Sequence, residues 1–310
     1  MENNKLEIVT LVNQKALLQQ QLSALVFGSI EIRDVKGGKY IYLHSRMNGI
    51  VRTSYVGEYT DDLYNRILKN NIEAKALKKQ IREADKKLKT LGYEPSDLSD
   101  KIRTNIDFAK RNIVDIIYKQ AILEGVAVTF LDTETIIEGG KLNNLSADDI
   151  LKINNLKHAW QFILDKDVIS SKSDFYLLCT INKLVEEGFY YNAGQLRSVP
   201  VSIGGTNWKL QLPIESIVKE ELTNILSINN VYGKAVNALL YIMKKQIFID
   251  GNKRSAVIFA NHILISNGAG LIVIPDSEVS EYKKLLIEYY ETDNSDNIIK
   301  FLIENCLTKL

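Results

Sequence analysis

Residues 245–268 read KQIFIDGNKRSAVIFANHILISNG, and the reading of this stretch decides the fold. Asp250-Gly251-Asn252 is turn chemistry, and Ala256, Phe259, Ala260, Ile263 and Leu264 then recur at helical spacing, which predicts a turn running into a buried helix. The first N–H groups of such a helix have no partner inside it and lie at its positive dipole end. Gly251, Asn252, Lys253 and Arg254 are therefore an expected anion site, with formal charge from Lys253 and Arg254. Arg254 offers a fork suited to phosphate oxygens, and Asp250 is a candidate ligand for a divalent cation against the same phosphates. This spacing suggests a nucleotide polyphosphate. The plainer alternative is a turn that caps a core helix and leaves Lys253 and Arg254 in solvent.

Outward from this stretch, residues 93–310 read as a mostly helical module, with helices near 100–125, 146–165, 172–188, 214–228, 233–246, 252–267 and 277–307. VPVSI (199–203) and WKLQL (208–212), around Gly204-Gly205, read as a hairpin. QIFIDGNKR (246–254) resembles the Fic/Doc signature, HxFx(D/E)(G/A)N(G/K)R, at Phe248, Asp250, Gly251, Asn252, Lys253 and Arg254. Gly194-Gln195-Leu196-Arg197 before the hairpin is similar to the family's GxxR segment and flap. Thr135 to Gly139, within a segment 133–140, is similar to its inhibitory-helix motif, (S/T)xxxEG, with Glu138 as the candidate inhibitory residue. The resemblance implies a mainly α fold, a Fic-type helical bundle with a β-hairpin flap and a core over about 172–307.

The resemblance also implies binding of ATP with Mg²⁺ and transfer of AMP, or in the Doc branch phosphate, to a hydroxyl of a protein target docked on the flap. Asp250 would hold Mg²⁺; Gly251, Asn252 and Lys253 would form the anion hole, and Arg254 would hold the distal phosphates. Phe248 would anchor the loop, and Val201, Ile203, Gly204 and Gly205 would lie along the target. The chain departs from the pattern where it matters most: Gln246 stands where the family has the histidine general base. A carboxamide orients a hydroxyl but does not take its proton. His44, His158 and His262 read as structural histidines rather than substitutes. A second arginine that would pair with the inhibitory glutamate is replaced by Val257. Glu138-Gly139-Gly140 is read equally well as a helix end with glycine stop signals.

Residues 1–92 lie outside the resemblance and read as helix, β-meander, helix. Leu63, Ile67, Asn70, Ala74, Leu77, Ile81, Ala84, Leu88 and Leu91 alternate spacings of four and three, a coiled-coil seam for the N-terminal helix of the same chain or for a second copy in a homodimer. Short connections favour the hairpin within one chain. Three strand-like stretches, separated by Gly37-Gly38 and Asn48-Gly49, interleave Arg33, Lys36, Lys39, Arg46 and Arg52 with Tyr40, Tyr42 and Tyr55. That pattern suits a nucleic acid, and against it stands a small sheet that packs its tyrosines on the helices.

The chain of 310 residues has a formal net charge of +1, which conceals a split: 16 Lys/Arg against 10 Asp/Glu in residues 1–92 and 23 against 28 in residues 93–310. No apolar run is long enough for a membrane span and the start lacks a secretory layout, so a cytoplasmic protein without membrane contact is expected. Cys179 and Cys306, far apart, read as buried free thiols rather than a disulfide or zinc site. Three functions follow: a nucleotide-binding Fic-type protein weak or inactive in AMP transfer, an active transferase with atypical chemistry, or a nucleic-acid-binding or scaffolding protein acting through residues 1–92.

Overall fold

The computed structural model describes the chain apart from residues 1, 36, 48–49, 94–97, 141–144 and 203–209, and apart from the side chains of 2–6, 9, 45–47 and 50–52. It is mainly α and forms two compact units, Met1–Glu94 and Pro95–Leu310. No described helix is long and apolar enough to cross a membrane.

The first unit comprises α1 (Glu2–Ala24), the strands β1 (Ser29–Val35), β2 (Gly38–Met47) and β3 (Ile50–Glu58), and α2 (Asp61–Thr90). The Thr60 hydroxyl caps α2 by accepting from Leu63 N, with Asp61 and Asp62 in its first turn and Lys87 and Lys89 in its last, each suited to the helix dipole. Its buried residues, Ile67, Ala74, Leu77, Ala84 and Leu88, all belong to the apolar seam read from the sequence. Leu88 packs on Leu11 and Val12 of α1, and Lys15, which interrupts the apolar series of α1, pairs with Asp85 of α2 at 3.0 Å.

The strands form an antiparallel sheet in the order β1-β2-β3; the Asn48-Gly49 turn lies outside the described residues. Ile30, Ile41, Leu43 and Val56 pack on Leu63 and Ile67 of α2. Side chains alternate across a strand, so Tyr40 and Tyr42, neighbours of Ile41 and Leu43, stand on the opposite face with Tyr55. The tyrosines therefore do not pack on the helices. The aliphatic residues Ile41 and Leu43 fill the interior instead.

The second unit contains α3 (Asp100–Arg111), α4 (Ile113–Leu123), α5 (Phe130–Ile137), α6 (Ala147–Ile163), α7 (Lys166–Ile169), α8 (Phe175–Val185), α9 (Glu215–Leu226), α10 (Val231–Lys245), α11 (Asn252–Ser266), β4 (Leu271–Ile272), α12 (Val279–Thr292), α13 (Asp296–Phe301) and β5 (Leu307–Thr308). Helix α11 is buried on nearly every side, as its apolar circumference requires, and α8, α10, α6 and α3 pack around it. The single helix expected over 277–307 is instead broken. Helix α12 ends at Asp293 in a left-handed conformation, φ 62°, where Asp293-Asn294-Ser295 offers cap residues rather than helix formers. Cys179 and Cys306 are free, and burial pushes both thiols up to about 12.

Candidate functional site

Helix α10 ends at Gln246, which is left-handed with φ 45°, and the chain turns through residues 246–251 into α11. Three side chains fix this loop. Asn252 closes it from inside, its Oδ1 accepting from Phe248 N at 3.0 Å and its Nδ2 donating to Phe248 O at 2.9 Å, while the Phe248 ring is fully buried. Asn182 of α8 donates to Asp250 O (3.0 Å) and to Ser255 Oγ (3.1 Å) and accepts from Gly194 N (2.9 Å). Arg197 is buried and donates to the carbonyls of Gln246 (2.6 Å), Val199 (2.9 Å) and Gln211 (2.6 Å). It thereby ties the loop to both flanks of the flap segment. Of the flap residues, Val201 is half-buried, residues 199–202 and 210–212 carry no strand, and Ile203, Gly204 and Gly205 lie outside the described residues.

At the start of α11 the first helical bond runs from Ser255 N to Gly251 O at 2.8 Å, so the N–H groups of Asn252, Lys253 and Arg254 precede it. The Gly251 N–H is taken by the carboxylate of Asp250 at 2.6 Å. Gly251 itself has φ 71°, and a Cβ there would run into Glu186 Oε1. Gly251→Ala is therefore expected to lower stability by roughly 1–3 kcal/mol, the cost of a left-handed non-glycine residue, before the clash is added. Chemical denaturation of the purified variant measures it.

Arg254 is not in solvent, as the plainer reading had it, but 4% exposed, and three carboxylates surround its guanidinium. Nη2 lies 2.7 Å from Glu186 Oε1 and 3.5 Å from Asp250 Oδ1, and Nε lies 3.7 Å from Glu124 Oε2. These are ion pairs with poor alignment. Nε and Nη1 of Arg254, Oε1 of Glu186 and Oε1 of Glu124 are all buried without a hydrogen-bond partner. Burial chiefly, aided by the charges of Asp250 and Glu124 and opposed by Arg254, pushes the Glu186 carboxyl up to about 7. Glu124 follows the last turn of α4, which Gln120 holds against α11 by donating to Arg254 O at 3.0 Å while accepting from Trp160 Nε1 at 2.9 Å.

Glu186 and Glu124 were not singled out from the sequence. Glu124-Gly125 is a Glu-Gly helix end like Glu138-Gly139, but Gln120 rather than Ser or Thr stands four residues before it. Glu138 caps α5, and the N–H groups of Gly139 and Gly140 return to Ile136 O (3.0 Å) and Thr135 O (2.8 Å), a glycine-terminated helix end. Among the described residues it does not pair with Arg254. Gln246 donates from Nε2 to Met243 O (2.6 Å) and accepts at Oε1 from Asn252 (3.2 Å), so its amide is bonded at both ends. No described histidine bonds to the loop. His262 is fully buried between Ser173 Oγ (2.9 Å) and Val168 O (3.0 Å), and burial lowers it to about 4.

A buried central helix, opened by a left-handed loop and an enclosed arginine, is the frame of this mainly helical unit. Residues 173–264 match the model of the Fic/DOC family, and the chain carries a domain of that family. The fold is shared with solved Fic proteins. Fic-1 from C. elegans is 14% identical, with 79% of this chain and 81% of that chain covered and a TM-score of 0.55. A Fic domain containing signaling protein from Bacteroides thetaiotaomicron is 16% identical, with coverage of 67% and 85% and a TM-score of 0.52. A Fic family protein from Desulfovibrio desulfuricans is 17% identical, with coverage of 68% and 73% and a TM-score of 0.50. No curated protein matches this chain.

Proposed function

We propose that the protein binds ATP with Mg²⁺ at the start of α11 and is weak or inactive in transferring AMP to protein hydroxyls. The observation that carries this reading is Arg254: a buried guanidinium whose Nε and Nη1 lack acceptors is incomplete, and phosphate oxygens fit it. The N–H groups of Asn252 and Lys253 would face the same phosphates, and the half-exposed Asp250 would hold Mg²⁺. When bound, ATP would supply the activated phosphoryl centre and Mg²⁺ would offset its charge. Gln246 would orient an incoming hydroxyl through its carboxamide without taking its proton, and a protein target would lie along residues 199–212.

Two carboxylates stand where the phosphates would go. An anion beside ionised Glu186 is repelled, so binding favours the protonated form, and with the carboxyl near 7 the affinity is expected to rise as the pH falls from about 8 to about 6. Titration calorimetry of ATP and Mg²⁺ into the full chain tests this. Glu186→Gln should bind more tightly with a flatter pH profile. Arg254→Ala should bind roughly tenfold more weakly or not at all. Binding indifferent to Arg254 would remove the reading.

A further inference from the structure

The outer face of the first unit's sheet is not used by any of this chemistry. It carries Glu31, Arg33, Tyr40, Tyr42, His44, Thr53 and Tyr55, with Val35 at the end of β1 as its aliphatic member among the described residues. The ring of Tyr55 lies 6.2 Å from Tyr40 and 5.6 Å from Tyr42, tilted or edge-on, and Tyr55 is 59% exposed. The Arg33 guanidinium sits 4.4 Å from the Tyr42 ring centre. It is held there by Glu31 (2.8 Å), which also binds His44 (2.7 Å); His44 in turn meets Thr53 (2.9 Å). The result is an ordered row of polar groups across three strands beside an open aromatic cluster.

Tyrosine and arginine also populate protein interfaces, and what selects a nucleic acid here is the excess of positive charge in the unit. The exposed Tyr55 ring beside a guanidinium stacked on Tyr42 suits planar bases, which stack on aromatic and arginine faces regardless of sequence. Charge points the same way. Residues 1–92 carry 16 Lys/Arg against 10 Asp/Glu, an excess that attracts a polyanion to the unit as a whole. We propose that this face binds single-stranded nucleic acid, with bases stacked on Tyr55 and on the Arg33 guanidinium that overlies Tyr42, and the backbone attracted by the unit's excess positive charge. Glu31 lowers the local charge of the face but fixes Arg33 over Tyr42, so the stacking surface exists before the strand arrives.

The test uses the full chain and a fluorescein-labelled mixed-sequence strand of about 20 nucleotides, as DNA and as RNA, followed by fluorescence anisotropy. At least one strand should bind, and binding should weaken steeply between about 50 and about 200 mM salt. Tyr55→Ala should weaken it at least about fivefold, whereas Tyr55→Phe, which keeps the ring, should bind like the wild type. Tyr55 is largely in solvent, and circular dichroism would verify that both variants are folded. The proposal is overturned if neither strand binds, if Tyr55→Ala binds like the wild type, or if the duplex of the same sequence binds as tightly as the strands. None of these variants touches residues 245–268, so the result is independent of the nucleotide reading.

Discussion

Gln246→His is expected to raise AMP transfer from ATP to protein by about 10²- to 10⁴-fold, the usual contribution of a general base. The backbone is ready for the change. Residue 246 is left-handed with φ 45°, a conformation that histidine enters more readily than most side chains. The surrounding loop is held by Asn252, Asn182 and Arg197 rather than by the Gln246 side chain, whose own bonds reach only Met243 O and Asn252. The replacement therefore adds a basic nitrogen to a frame that stays in place. Labelled ATP with cell lysate gives the measurement, and Gln246→Asn is the control that keeps a carboxamide and should show no gain. A wild type and a Gln246→His variant that are both silent would count against a transferase-type site.

Arg197→Ala is expected to cost roughly 3–5 kcal/mol of stability, because hydrogen bonds to a charged group contribute ~1.5–3 kcal/mol each and the three made by this guanidinium are not additive. It leaves the carbonyls of Gln246, Val199 and Gln211 without their donor at once. Arg197→Lys should recover only a minor part, since one ammonium cannot span three acceptors held by a planar fork. Urea denaturation of the full chain, monitored separately for the two units, is the measurement. Loss confined to the second unit is the expected pattern, and an unaltered midpoint there would show that the clamp is dispensable.

The helix at 252–266 was legible because its evidence is local: turn residues followed by an apolar period over consecutive turns. The state of Arg254 was not. Its pairing depends on Glu186 and Glu124, which cap the ends of α8 and α4 far away in sequence, and no spacing rule joins a carboxylate to an arginine across that distance. The tyrosines show another limit. A period of two says that Tyr40 and Tyr42 share a face, but not which face the helix covers; the aliphatic character of Ile30, Ile41, Leu43 and Val56 was the available signal. The break at Asp293 was visible in Asp293-Asn294-Ser295, which outweighed the apolar period on either side.

Strand β5 lies later in the chain than every other described element, and it pairs with β4 immediately beyond α11, Leu271 opposite Thr308 and Ile272 opposite Leu307. The approach is close enough that a side chain at Gly270 would meet the Thr308 carbonyl. During synthesis, the central helix of the second unit therefore emerges well before the strand that closes over its exit. The first unit, whose contacts are complete by residue 94, is free to fold while the second is still waiting. A ribosome stalled with residues 307–308 inside its tunnel should hold a protease-resistant first unit and a second one still open to cleavage.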